Sequence, residues 1–355
     1  MKSIFDVFNS PFPESGEKVR KLGFLLSSFI LHPSSFRQEE FATYYNRPVL
    51  KKPHWIWQIW LYFWLGGIGG GCAVISMLAK LFGDKKRVKP IVRAAHYISL
   101  ATGMAAPLLL VMDLGRPERF LHMLRVLKLR SPLSVGTYIM SGNALFASLV
   151  FARQLVEDGL IPAKSLLGKA ATLVPGGLVT GLQGAAGFGM GTYTGVLISS
   201  TAIPLWSEAT EILPPLFLSS GLSNASAALQ LVLLASGLDE DTADYKALES
   251  IETAALLTEL ALLGFGRWNM GALLTKPLTE GRVGKLFLGG AVGGGLVLPL
   301  LLQRVGHTRW LRVIGAGATL AGGLTMRYCI VEGGKLSADD PQAYHSITRK
   351  SGVRH

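Results

Sequence analysis

Apolar residues in this chain are gathered in long, nearly uncharged runs, and polar residues are gathered in the short connectors between them. Each run approaches or exceeds roughly 20 residues, the length at which an α-helix crosses about 30 Å of hydrocarbon. The ten-residue alternation of membrane β-strands is absent. The pattern predicts an all-α integral membrane protein with about eight transmembrane helices in two four-helix bundles, at residues 55–81, 91–112, 134–156, 171–199, 209–236, 246–270, 284–303 and 310–331.

The two ends of the chain differ from its middle. Residues 1–43 contain one apolar run that is too short to span a bilayer, so we expect an N-terminal surface arm, interfacial or disordered. Residues 44–331 form the predicted membrane domain, and residues 332–355 a polar tail. An even number of crossings returns the chain to its starting side, which we call the A end; the opposite side is the B end. The Lys and Arg distribution does not decide which end is cytoplasmic.

Composition supports a membrane protein and excludes several other classes. Charged residues make up 16% of the chain, against about 25% in soluble domains. The net charge of +12 comes from basic residues at helix ends, where they meet lipid headgroups, so we expect no nucleic-acid partner. The 42 glycines are typical of close helix packing. Cys72 and Cys329 lack metal-ligand spacing, so we expect no metal and no iron–sulfur cluster in this chain.

Polar residues from separate segments are predicted to meet at the A end. The first span begins there beside His54, the second ends there at Asp113 before Arg116, and the fourth ends there after Tyr193. Glu208 lies in the connector that follows. Aromatic residues at such positions also serve as ordinary headgroup anchors. We interpret four tryptophans in that way: Trp55, Trp57, Trp60 and Trp206.

These residue types suit a quinone headgroup without being specific for one. Its two carbonyl oxygens need hydrogen-bond donors, and its protons need a nearby carboxylate. The sequence supplies hydrogen-bond donors and a carboxylate in His54, Asp113, Arg116 and Tyr193. A loop salt bridge between Asp113 and Arg116 is an equally weighted alternative. Haem is not expected, since His96 alone lies clearly within a span and haem b needs paired axial imidazoles.

Two carboxylates lie deep in the sixth predicted span. Glu252 and Glu259 are seven residues apart and so share one helical face. Ionisable residues near the middle of a membrane usually have a function, and for these two carboxylates the functional interpretation is a proton path. The alternative is an internal ion pair, with Arg327 or Arg267 as the partner of Glu259. Both interpretations are kept.

Seven blocks follow one another along the chain: YYNRPVLKKPHW (44–55), GGIGGGCA (66–73), DLGRPERFLHMLRVLK (113–128), SPLSVGTYIMS (131–141), TYTGVLISSTAIPLW (192–206), LPPLFLSSGLSNASAAL (213–229) and GGLTMRYCIVEGGKLSADDP (322–341). Together and in this order they resemble the NrfD family, the membrane quinone subunits of polysulfide-reductase-like complexes.

The resemblance implies a haem-free subunit in a bacterial or archaeal cytoplasmic membrane. It implies a menaquinone or ubiquinone site at Tyr193 and Asp113, with His54 a less constant member. It also implies a ferredoxin-like iron–sulfur partner, with a molybdopterin or multihaem cytochrome subunit beyond it. On this basis we expect no catalysis by the protein in isolation.

Two other function classes compete with this interpretation. Buried carboxylates and glycine-interrupted helices are also found in secondary transporters, although no internal repeat relates the first four spans to the last four. A passive membrane anchor for a peripheral redox enzyme is the other alternative.

Overall fold

The computed structural model describes residues 50–84, 86–113, 118–237, 242–305 and 308–352, so the predicted arm at 1–43 lies outside them. The described residues form helices and no strand. In chain order these are α1 Trp57–Phe82, α2 Lys89–Asp113, α3 Glu118–Met123, α4 Pro132–Glu157, α5 Leu166–Thr172, α6 Gly176–Ser199, α7 Pro204–Glu208, α8 Leu213–Ala235, α9 Ala243–Thr279, α10 Gly281–Val305, α11 Arg309–Ser337 and α12 Pro341–Gly352.

Six helices are long and apolar enough to cross a membrane: α1, α2, α4, α8, α10 and α11. This confirms the all-α, multi-pass membrane fold. Two more helices have spanning length, α6 with 24 residues and α9 with 37, but α6 is rich in glycine and α9 carries several charges. The total of eight crossings therefore stays a prediction.

Helix α1 lies at the centre, packed against α2, α6 and α8. Helix α4 completes a first bundle by packing on α2 and α6, while α8, α9, α10 and α11 form a second. Glycines make the junction of the bundles possible, because a side chain on Gly71 would overlap the backbone of Gly221. Small residues at such crossings let membrane helices approach closely.

Prolines and one glycine explain where the observed boundaries depart from the predicted ones. The fourth predicted span started at residue 171, but Pro175 precedes α6 and leaves α5 as a separate short helix. Pro214 and Pro215 likewise start α8 later than predicted. Gly271, with φ of 78°, breaks α9 one residue after the end predicted for that span. Residues 286–297 of α10 have the wider π-helical turn, which the sequence did not predict.

Candidate functional site

At the A end, three elements place titratable side chains around the last turn of α2. Asp113 ends that helix half-buried, and the titratable groups near its carboxylate are His54, from the segment before α1, and Lys335, from α11. Lys335 Nζ donates to the carbonyl oxygen of Trp55 and lies 2.7 Å from a carboxylate oxygen of Glu332. Two predicted site residues, His54 and Asp113, therefore lie near each other, and Lys335 joins them. Arg116 lies outside the described residues.

A pair of stacked tryptophans lies at the A end, and one of them, Trp55, is next to His54 in the sequence. Trp55 stacks on Trp206, with ring centroids 5.1 Å apart and planes inclined by 18°. Trp206 is fully buried and its Nε1 donates to the carbonyl oxygen of Ile330 at 2.8 Å. Gly334 leaves the room for this ring. The prediction that Trp206 is a headgroup anchor is therefore wrong, because α11 offers it both an acceptor and a gap.

Glu208 follows the same tryptophan closely in the sequence. It ends α7, two residues after Trp206, and its side chain is half-buried. The short helix packs against α11 and α12 at the A end. The carboxylate thus belongs to the same end of the molecule as Asp113.

Deeper along α1, two tyrosines face each other between the helices of the first bundle. Tyr193, from α6, is 4% exposed, and its ring lies where Gly136 of α4 has no side chain. Tyr62, from α1, is fully buried beside it, close enough for the two phenols to interact. The hydroxyl of Tyr62 makes no hydrogen bond of regular geometry with any described residue, the nearby Tyr193 included. Oε1 of Gln58, one turn nearer the A end, has no partner among the described residues.

The tyrosine pair and the charged group at the A end are parts of one region. Both tyrosines belong to the apolar cluster that includes Leu110, one turn before Asp113. Buried polar atoms without partners on one face of α1 mark a place where a polar ligand gains hydrogen bonds. Sequence reasoning missed Gln58 and Tyr62, whose spacing of four residues was the available signal.

In the second bundle, Glu252 is buried and fully hydrogen-bonded. Its Oε2 accepts from Gln230 Nε2 at 2.7 Å and from Gln303 Nε2 at 3.0 Å. Its Oε1 accepts from the hydroxyl of Thr319 at 2.8 Å. Three helices, α8, α10 and α11, therefore hold this carboxylate of α9.

Glu259 is also buried but only half satisfied. One oxygen accepts from the hydroxyl of Ser223 at 2.6 Å. The other makes no hydrogen bond of regular geometry with a described residue, although the hydroxyl of Ser220 lies near the carboxylate. Arg327 supplies the opposite charge, while Arg267 is exposed. Of the two cations considered for an internal pair, the structure thus places Arg327 beside Glu259.

Arg327 lies where α1, α8 and α11 meet. Its Nη2 donates to the carbonyl oxygen of Phe217 at 3.0 Å, and its guanidinium lies 3.9 Å from the centroid of that ring. Its Nε and Nη1 have no partner among the described residues. The same holds for the buried hydroxyl of Ser226, on α8 between the levels of the two carboxylates.

Polar groups continue from Glu252 to the B end. Tyr245 donates from its hydroxyl to Gln230 Oε1 at 3.2 Å, and Arg312 lies over the tyrosine ring at 4.9 Å. Glu249 lies 3.7 Å from Arg312. A cavity of about 10 Å³ beside Glu252 has room for roughly one water molecule. We call the series from Glu249 to Arg327 the polar chain.

Potential metal ligands do not cluster in the part of the protein that the structure describes. No three His, Cys, Asp or Glu side chains come together there in a way that could hold an ion. Cys72 and Cys329 are both buried and free.

Comparison with known proteins places these features in a family. The family model described as "Polysulphide reductase, NrfD" matches residues 48–338. A polysulfide reductase subunit of Wolinella succinogenes is 28% identical over 305 residues, which cover 79% of this protein and 94% of the relative. Protein NrfD of Escherichia coli is 26% identical over 306 residues, covering 80% and 95%. The matched region contains the six apolar helices together with His54, Asp113 and Lys335. The protein belongs to the NrfD family of polysulphide reductase membrane proteins.

Proposed function

We propose that this protein is the quinone-binding membrane subunit of a respiratory oxidoreductase complex, with its site in the first bundle at the A end. The observation that carries the proposal is the polar series descending α1 from His54 and Asp113, past Gln58, to Tyr62 and Tyr193. It combines phenol donors inside the protein with a carboxylate near the surface, which is the set that quinone chemistry needs.

Each residue has a role in this proposal. A bound menaquinol or ubiquinol would supply two electrons and two protons. Tyr193 hydrogen-bonds and orients the headgroup from the membrane interior. Asp113 takes up a proton and releases it to water beside the exposed His54, and Glu208 offers a second carboxylate at the same end. Partial burial disfavours the ionised form of Asp113, and the nearby positive charge of Lys335 offsets part of this effect.

The partner is proposed from charge and from the family. Three basic side chains after α3, Arg125, Lys128 and Arg130, are exposed at the A end. We propose that they dock a ferredoxin-like iron–sulfur subunit that exchanges electrons with the quinone, with a molybdopterin or multihaem cytochrome subunit beyond it. The Wolinella succinogenes relative is, by its name, one polypeptide of a polysulfide reductase that has others.

Binding of a quinol-analogue inhibitor to the purified complex, followed by fluorescence quenching, tests the site. Tyr193→Phe should weaken binding about fivefold, since a net hydrogen bond contributes about 1 kcal/mol. Tyr97→Phe is the matched control, because that phenol donates to Asp158 at the B end. Asp113→Asn should slow quinol oxidation more than it weakens binding.

Other outcomes separate the competing functions. An intact wild-type complex that binds no analogue would contradict the proposal and favour a passive anchor. Solute uptake by the protein alone in liposomes would favour a transporter. Equal binding by Tyr193→Phe and Tyr97→Phe would move the quinone site away from α6.

A second role, proton translocation, is favoured by the polar chain. We propose that Glu252 and Glu259 relay protons between the B end and the A-end half of the protein. About 10 Å of helix separates their Cα atoms. The hydroxyl of Ser226 lies between the two levels, and Arg327 reaches toward α1 at Gly67. The polar chain thus leads from the B end toward the helix that carries Tyr62.

A further inference from the structure

A cavity with charged residues in its lining lies at the B end of the first bundle, opposite the proposed quinone site. Its volume is about 440 Å³, and the ends of α1, α2, α4 and α6 surround it. Neither the quinone proposal nor the polar chain uses it. Its lining residues include Lys80, Lys89, Arg153, Gln154 and Glu157.

The cavity carries three cationic side chains and one carboxylate among the described residues that line it. Lys80 is held by the hydroxyl of Thr180, to which its Nζ donates at 2.9 Å. Arg153 donates from Nη1 to the carbonyl oxygen of Val174 at 3.0 Å, and its Nε lies 3.3 Å from Glu157. Lys89 is exposed at the mouth. The cations are thus positioned in advance, and their excess favours an anion.

The floor of the cavity is polar and fixed. Gln154 is 3% exposed; its Oε1 lies 3.0 Å from Nδ1 of His96, and its Nε2 donates to Asp158 at 3.0 Å. Two glycines, Gly176 and Gly177, form the wall opposite. A side chain at Gly176 would overlap Arg153, whereas at Gly177 it would meet open space. Gly176 therefore leaves the space that the guanidinium of Arg153 occupies.

Exposed apolar side chains occur close in sequence to the cavity lining. Phe82, at the end of α1, is 83% exposed, Leu178 on α6 is 56% exposed, and Leu173, shortly before α6, is 82% exposed. In a membrane-spanning bundle these side chains contact lipid chains. A ligand at this place therefore meets fixed positive charge at one end and hydrocarbon at the other.

We propose that this cavity binds an anionic phospholipid, with its phosphate between Lys80, Lys89 and Arg153 and its acyl chains along Leu173 and Leu178. Basic pockets between membrane helices are suited to acidic lipid headgroups. A zwitterionic lipid brings its own cation and gains less from the excess positive charge. Free inorganic phosphate shares the headgroup chemistry but not the acyl contact, so the structure favours the lipid over the free ion.

The test measures lipid retained by the purified complex, with native mass spectrometry in the presence of phosphatidylglycerol or phosphatidylcholine. The wild type should retain phosphatidylglycerol preferentially. Lys89→Gln should weaken its retention about fivefold, since one charge near a bilayer surface contributes about 1 kcal/mol. Glu157→Gln should strengthen it by a similar factor, because this change removes the one carboxylate among the described lining residues. Lys164→Gln, an exposed lysine at the same end outside the lining, is the matched control.

Three results would overturn the proposal. The first is equal retention of the two lipids by the wild type. The second is that the Lys89→Gln and Glu157→Gln variants both retain lipid as the Lys164→Gln variant does. The third is displacement of the lipid by an equal concentration of inorganic phosphate. Quinol-analogue binding, measured on the same samples, should be unchanged by Lys89→Gln, which keeps this site distinct from the one at the A end.

Discussion

At the residue scale, the position of Tyr193 depends on a neighbour that has no side chain. The phenol ring fills the space beside Gly136 on α4, and a Cβ there would overlap the ring. The orientation of the proposed quinone donor is therefore set partly by a residue that contributes no polar group of its own.

Gly136→Ala should weaken quinol-analogue binding although Tyr193 and Asp113 are unchanged. The ring must move or the helices must separate, and overpacking of this kind costs about 1–3 kcal/mol. The measurements are analogue affinity and melting temperature in detergent. Gly142→Ala, on the same helix with open space around it, is the matched control and should be neutral. If the two variants behaved alike, Gly136 would have no part in positioning Tyr193.

At the element scale, the contact between α10 and α11 is built on two glycines. Gly295, in the π-helical part of α10, lies against Gly322 so closely that a Cβ on either residue would overlap the backbone of the other. Backbone cannot move aside as a flexible side chain can. The two helices therefore approach here at a distance that only glycine permits.

Gly295→Ala should lower the melting temperature of the detergent-purified protein, because the forced overlap costs about 1–3 kcal/mol or more. Gly289→Ala, in the same π-helical segment with nothing near its Cβ position, is the control and should have no such effect. Equal melting temperatures for the two variants would mean that the crossing adjusts without cost.

At the scale of the whole molecule, the polar chain extends through the second bundle from the B end toward α1. It begins at Glu249 near the B end, passes Glu252, and reaches Arg327 beside α1. Buried charged groups are expensive in a membrane protein unless they are paired or serve a function. Since Glu259 and Arg327 keep polar atoms without partners among the described residues, pairing alone does not account for them.

Glu259→Gln should lower the number of protons moved per electron while leaving quinol oxidation in uncoupled membranes largely intact. The amide keeps a hydrogen bond to Ser223 but removes the proton-carrying carboxylate. Proton uptake by reconstituted vesicles during quinol oxidation measures the ratio. Glu280→Gln, an exposed glutamate after α9, is the control. An unchanged ratio in Glu259→Gln would leave the carboxylate a purely structural role.

Local sequence patterns were enough to predict the features that are determined by residues close together in the sequence. Apolar runs predicted the membrane fold, and glycine and proline account for the boundaries that shifted. Chain direction placed His54 and Asp113 at the same end, where the structure has them close together. Tyr62 was hidden in an aromatic run that is equally typical of an interface.

Features set by distant contacts were beyond such reasoning. Trp206 is buried because α11, 124 residues away, supplies an acceptor for its indole. Lys335 reaches Trp55 across 280 residues, and nothing in either segment indicates the other. Likewise, nothing in the sequence around Gly295 indicates that it meets Gly322 of the next helix.

That contact between Lys335 and Trp55 has a consequence for biogenesis. Proteins are made from the N-terminus, so α1, α2 and α6 are synthesised well before α11. Until α11 arrives, Asp113 lacks the neighbouring ammonium of Lys335, and Trp206 lacks the carbonyl of Ile330. The proposed quinone pocket would then be the last part of the membrane domain to mature. A nascent polypeptide interrupted before Arg309 would carry both tyrosines but not the finished site.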